Sequence, residues 1–200
     1  MLVAISAVLL SSSIGLPIAP SPWQSSGVLN ADVVIHTYMD YQCRFCRQQL
    51  TVMQRLVNRN ANSIRWVSWL WPSNNIRSQH FAKVGYCVGT HYGNSAFTQF
   101  NQQFYALPPS LHDVEGIAMR ISLQIPNIDK AVIEHCLTAK QTSEYFVQVN
   151  RFAQQDASFV GTPGMIIQVN GIQVKLQGFQ SSAALEASIK KAASRDEAAF

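Results

Sequence analysis

The sequence predicts an α/β fold interrupted by a helical insertion, and three observations carry that prediction. An apolar, β-branched run, VVIHTY at residues 33–38, leads directly into a segment of helical periodicity, with two cysteines at the junction. Near the other end, two apolar runs flank Asn170-Gly171 and precede a last helical segment. Between these, from about Ser73 to Ser158, apolar residues recur at three-to-four spacing, with Pro108, Pro109 and Pro126 as breaks.

Of the 200 residues, 48% are hydrophobic, 13% charged and 10% aromatic, and the formal charge is +4. This suits one domain with a sizeable core and excludes a collagen, an acidic disordered tail, a disulfide-dense miniprotein and a polytopic membrane protein. The charged fraction is about half the usual ~25%, so surface polarity rests on Ser, Asn, Gln and Thr, as suits an extracytoplasmic protein. The basic residues are scattered, with Lys190-Lys191 the longest run, and no nucleic-acid partner is expected.

In chain order, residues 1–20 contain no charged side chain, and Leu2 to Leu10 is apolar apart from Ser6. This resembles a signal-peptide core, with Ser13 and Gly15 as small residues at the cleavage positions. Because the positive n-region is missing, an uncleaved membrane tether is the alternative, and either implies export. The stretch Ser11 to Gly27 reads as a Ser/Pro linker with too few apolar anchors to fold. Residues 1–27 are thus expected to be leader or tether plus linker, and residues 28–200 the domain.

The run after Asp32 is expected as a buried strand, and the helix behind it starts at Cys43-Arg44-Phe45-Cys46. At about 100° per residue, Cys46, Leu50, Met53 and Val57 share the face that must be buried, while Arg44, Arg47, Arg55 and Arg59 lie opposite. The thiols are therefore unequal. Cys43 stands at the helix N-terminus, where free amides and the positive end of the dipole favour a thiolate, and neighbouring Arg44 is expected to depress its pKa further. Cys43 is the candidate nucleophile and Cys46 the resolving thiol. A zinc site would need two further ligands at local spacing, and Cys87 and Cys136 stand alone, so no metal is expected. A purely structural disulfide across so short a loop would add little stability.

Ile64 to Trp71 reads as a covered central strand, with Trp66, Ser68 and Leu70 on one side and Val67, Trp69 and Trp71 on the other. The insertion, about 73–158, holds five candidate helical segments: GYCVGTH, AFTQFNQQFYAL, DVEGIAMRISLQI, DKAVIEHCLTA and TSEYFVQVNRFAQQ. Met165 to Val169 and Ile172 to Leu176 make the hairpin, and Ser182 to Ala193 the closing helix.

The segment Met39-Asp40-Tyr41-Gln42-Cys43-Arg44-Phe45-Cys46-Arg47 resembles the active-site segment of the DsbA-like thiol-disulfide oxidoreductases. Phe159-Val160-Gly161-Thr162-Pro163-Gly164-Met165, followed by IIQVNG, resembles their cis-proline loop, strand and hairpin turn. The similarity covers about residues 27–193. It implies a thioredoxin-like fold with an inserted α-helical subdomain, a cis Pro163 against Cys43, and Thr162 offering main-chain hydrogen bonds to an extended substrate. Two departures bear on mechanism. Six positions before Cys43, where family members usually hold a buried carboxylate as proton acceptor, stands Thr37; Asp40 is the candidate substitute. The dipeptide between the cysteines is Arg44-Phe45 rather than the Pro-His of strong oxidants.

Cys87 and Cys136 lie in helical segments 49 positions apart. They can pair if their Cα atoms approach within about 7 Å, the alternative being two buried free thiols. The five histidines read as surface or satisfied core residues.

The expectation is an exported protein thiol-disulfide oxidoreductase, an oxidase that introduces disulfides into secreted or periplasmic proteins through the Cys43-Cys46 redox pair, with no other cofactor. The resemblance implies folding secreted proteins as substrates and a membrane, quinone-linked reoxidising partner of the DsbB kind. A monomer is expected, since the roughly 27 residues before the core leave no room for the dimerisation domain of related isomerases. The alternatives are a reductase or isomerase of the same fold, and a noncatalytic peptide-binding chaperone.

Overall fold

The run that begins at Val33 forms the middle of a five-stranded sheet in a computed structural model describing residues 19–197 except 61 and 113. The expected leader or tether lies largely outside the described residues. Before the insertion come β1 (Ser25–Gly27), β2 (Val33–Met39), α1 (Arg44–Arg59) and β3 (Ile64–Leu70). The insertion holds α2 (Ile76–Ala106), α3 (Ile117–Ser122), α4 (Lys130–Thr138) and α5 (Lys140–Arg151), and then β4 (Gly164–Val169), β5 (Ile172–Gln177) and α6 (Ser182–Glu197) complete the chain. The strand order is β1-β3-β2-β4-β5, with β2 and β3 parallel and the other pairs antiparallel.

The three inner strands are covered on both faces, as near-continuous apolar runs require. Ile35 and Tyr38 of β2, Trp69 of β3, and Met165, Ile166 and Ile167 of β4 are fully buried. Trp71 extends the β2–β3 ladder past the strand end by donating its amide to the Met39 carbonyl at 2.9 Å. Tyr38 stacks on Trp69, with ring centroids 6.0 Å apart, and on Phe152 behind α5 at 5.7 Å. The sheet and the insertion therefore share one core.

The linker reading fails for its last residues. Pro22–Gln24 form a 3-10 turn and Ser25–Gly27 pair with Arg65 to Val67 of β3. The cause is one large side chain and two amides. Trp23 is buried edge-on against Phe97, with centroids 4.8 Å apart, and an indole of this kind removes about 150–250 Å² from water. Asn94 donates its side-chain amide to the Trp23 and Ser25 carbonyls at 2.9 and 2.8 Å, and Gln24 donates to Ser68 O at 3.2 Å. Among the described residues the first element is thus the turn at Pro22–Gln24, ahead of the expected boundary at residue 28.

Two of the expected helical segments prove to be halves of α2, bent where Gly93 takes φ 81° and ψ −174°, a conformation that L side chains rarely adopt. At Gly85 and Gly89 of the same helix, a Cβ would collide with the rings of Tyr41 and Trp23, so both positions need the missing side chain. The third segment is helical only over α3, and the fifth ends in a π-type turn, Phe152–Asp156. A disulfide joins Cys87 of α2 to Cys136 of α4, with Cα atoms 5.8 Å apart. Among the described residues, no helix is long and apolar enough to cross a membrane.

His36 gives the fold a pH-dependent element. Its ring is 2% exposed, and Nδ1 accepts a hydrogen bond from Trp69 Nε1 at 3.1 Å. Burial, with Arg65 adding to it, lowers the pKa from 6.5 to about 4. Between those values the unfolded chain binds a proton that the folded chain refuses, so stability falls as pH drops from about 6.5 to about 4. The total is about 3 kcal/mol. Urea midpoints at neutral and acid pH should show this slope reduced in His36→Gln, which retains an acceptor for Trp69; equal slopes in both proteins would contradict it.

Candidate active site

β2 ends at Met39, and the turn Asp40 to Cys43 hands the chain to α1. The Cys43 amide donates to Asp40 O at 3.1 Å, and Cys43 is the N-cap, its carbonyl accepting from the amides of Cys46 and Arg47 at 3.0 and 3.2 Å. The turn is anchored from the insertion side. Tyr41 is buried among Phe100, Phe104 and Tyr105 and donates its hydroxyl to Asn101 Oδ1 at 2.5 Å, while Tyr105 donates to Asp40 O at 3.0 Å.

The two thiols are unlinked and occupy different environments. Cys46 is fully buried on the inner face of α1 with Leu50, Met53 and Val57, and its Sγ accepts the Asp40 amide at 3.5 Å. Cys43 is half-buried, and its thiol donates to the Thr162 carbonyl at 3.3 Å. The Thr162–Pro163 peptide bond is cis. The Cys43 pKa is lowered from 9.0 to about 6, chiefly by the hydrogen bond from the Cys46 thiol. Partial burial opposes this, and the Thr162 side chain and the Cys46 and Phe45 amides reinforce it. Burial pushes the Cys46 thiol well above its ordinary value, and its interaction with Cys43 adds to the rise. At neutral pH, an accessible thiolate therefore lies beside a buried thiol that keeps its proton.

Cys46→Ala removes the leading donor and should raise the Cys43 pKa from about 6 toward the ordinary 9.0, whereas Cys46→Ser keeps a hydroxyl and should stay lower. Thiolate absorbance followed against pH reads this, and an unmoved midpoint in the alanine variant would reject the thiol–thiol bond as its cause.

Two expected supporting roles change. Arg44 is not among the groups that lower the Cys43 pKa; it is exposed, and its guanidinium lies over the Phe45 ring, 4.6 Å from the centroid. The Asp40 carboxylate is occupied elsewhere. It accepts the amides of Gln42 at 2.9 Å and Ser73 at 2.8 Å and the hydroxyl of Ser78, so it ties the turn to the start of α2, and only the Asp40 backbone amide bonds to Cys46. Thr37 is fully buried and accepts from Trp66 Nε1 at 2.8 Å.

Gln177 of β5 is the residue that sequence reasoning missed. Its side chain accepts the Val160 amide at 3.2 Å and donates to Gly161 O at 2.7 Å and Pro163 O at 3.4 Å, while the Gly178 amide donates to Pro163 O at 2.8 Å. One exposed amide thus fastens the loop that places Thr162 on Cys43. An isolated glutamine late in a strand carries no sequence signal for such a role. Arg47, placed on the outer side of α1, instead donates to Leu107 O at 2.6 Å and contacts His112 Nε2 at 3.0 Å, pinning α1 to the insertion.

A sequence model of the family described as Thioredoxin matches residues 23–191. The chain belongs to the thioredoxin family. With its paired cysteines, this thioredoxin-family protein is a thiol-disulfide oxidoreductase. Its fold is similar to that of a thioredoxin-like oxidoreductase from Silicibacter pomeroyi DSS-3, at 20% identity and a TM-score of 0.72 over 85% of this chain and 91% of that one. It is also similar to the thiol-disulfide exchange protein alpha-DsbA2 from Wolbachia pipientis, at 18% identity and 0.70 over 84% and 85%. A periplasmic thioredoxin-like protein from Salmonella enterica serovar Typhimurium aligns at 13% identity and 0.71 over 88% and 93%. No curated protein matches the sequence. These likenesses show a shared thioredoxin-like fold.

Proposed function

We propose that the protein is an exported disulfide oxidase in which Cys43 is the nucleophilic position and Cys46 resolves. The observation that carries this is the inequality of the thiols: Cys43 is half-buried with a pKa near 6, and Cys46 is fully buried with its pKa raised. A lowered thiolate pKa stabilises the dithiol form, and a stabilised dithiol makes the disulfide a stronger oxidant.

The cycle starts from the Cys43–Cys46 disulfide. A substrate thiolate attacks Cys43 Sγ, forming the substrate–Cys43 bond and expelling Cys46 as thiolate, which takes up a proton. A second substrate thiolate then attacks the substrate sulfur of that bond, forming the substrate disulfide and releasing Cys43 as a stable thiolate. Two electrons pass from substrate to protein. The Thr162 carbonyl, bonded to the Cys43 thiol in the dithiol form, has no such donor once Cys43 is a thiolate or is in a disulfide. It is then open to the amide of an extended peptide beside Pro163. Substrates are folding secreted proteins, and reoxidation falls to a membrane quinone-linked partner of the DsbB kind. Export is supported by the apolar, uncharged first twenty residues and by the periplasmic neighbour.

The reduction potential decides direction. Equilibration with glutathione buffers, followed by acid trapping and mass measurement of Cys43 and Cys46, should give a value above about −200 mV, in the range of oxidising relatives of this chemistry. A value near that of thioredoxin, about −270 mV, would overturn the oxidase assignment in favour of a reductase.

A further inference from the structure

A cavity of about 180 Å³ opens beside Cys43, walled by Arg44 and Arg47 and closed by His112, Gln42 and Gln48. None of the described residues lining it is acidic. Arg47 uses Nη2 on Leu107 O and His112, which aims the guanidinium, while Nε and Nη1 have no hydrogen bond among the described residues. Arg44 is exposed, and its one described contact is the face of Phe45. The nearest carboxylate in sequence, Asp40, is already held by Gln42, Ser73 and Ser78. Two arginines thus line, beside the reactive cysteine, a concave site in which no described residue is acidic.

We propose that this pocket receives a carboxylate of the substrate polypeptide, so that cysteines flanked by Asp or Glu are the preferred partners of the Cys43–Cys46 disulfide. The inference rests on the exchange reading above. In the disulfide state Cys43 carries no charge, so among the described lining residues an approaching carboxylate meets the two arginines, His112 and the polar groups of Tyr41, Gln42 and Gln48. A planar guanidinium with unused donors matches a carboxylate in geometry as well as charge. At so exposed a site the benefit is expressed mainly as a faster encounter, and salt screens it.

The test uses the full chain in its Cys43–Cys46 disulfide form and two dithiol peptides that differ only in Glu or Lys beside the first cysteine. Each rate of protein reduction is divided by that peptide's own rate with neutral 2-hydroxyethyl disulfide, which cancels the effect of the flanking charge on the peptide thiol. The expected Glu-to-Lys ratio is about tenfold at low ionic strength, falling toward one at high salt and in Arg44→Glu. Arg47→Gln should give a smaller fall. A wild-type ratio of one, or a ratio that neither salt nor Arg44→Glu alters, would overturn the pocket's role while leaving exchange intact. Absence of reaction with both peptides would overturn the exchange reading and this inference with it.

Discussion

Cys43→Ser should lower disulfide exchange with a model peptide to the uncatalysed background, a loss on the order of 10³-fold or more. A serine hydroxyl stays protonated at neutral pH and forms no sulfur–sulfur bond, and Cys46 cannot replace the lost thiolate because it is fully buried with its pKa raised. Cys46→Ser should behave differently. The first attack on a peptide disulfide still occurs at Cys43, but no thiol lies behind it to release the adduct, so a mixed disulfide accumulates and mass mapping finds it on Cys43. An adduct on Cys46 in the wild-type protein, or full exchange by Cys43→Ser, would contradict the assignment. Suppression of peptide aggregation that survives in Cys43→Ser while exchange disappears would identify a separate holding activity of the Thr162 loop.

Removing the Cys87–Cys136 disulfide should produce the largest loss of stability. The link closes a separation of 49 residues between α2 and α4, and the chain-entropy account gives about 4 kcal/mol for a loop of that size. For a domain of this length the melting temperature should fall by about 10 °C. Both sulfurs are buried, so the Cys87→Ser/Cys136→Ser double variant is a cleaner comparison than a reductant. Neither residue touches Cys43 or Cys46, so exchange should persist below the lowered melting point. The insertion matters to the site through Tyr41, which packs against Phe100 and Phe104 of α2; activity should therefore disappear as the insertion melts. An unchanged melting temperature would show that the link adds nothing to folding.

What the sequence made legible was local. The face shared by Cys46, Leu50, Met53 and Val57 is buried throughout, because helical periodicity and burial report the same geometry. The Asn170-Gly171 turn takes φ of 47° and 84°, the left-handed pair that a two-residue hairpin demands. What escaped was tertiary. Composition hid the folding of residues 22–27 onto the domain, because Trp23 finds its pocket on α2, far along the chain. Arg47 lies opposite the apolar face of α1, yet that side is not solvent: the insertion covers it and supplies Leu107 O and His112. Gln177 and the Asp40 carboxylate act through side-chain-to-backbone bonds, which leave no periodic trace. Arg44 adjoins Cys43 in sequence yet does not act on its sulfur, because the guanidinium lies over Phe45 and the thiolate is favoured by Cys46, Thr162 and helix amides.

Pulse alkylation of the reduced protein with iodoacetamide across pH, with the modified residue identified by mass, tests the inequality of the two sulfurs most directly. Cys43 should be modified with a midpoint near pH 6 and Cys46 should remain unmodified while the protein is folded. Modification of Cys46 before Cys43, or a Cys43 midpoint near the ordinary 9.0, would contradict it.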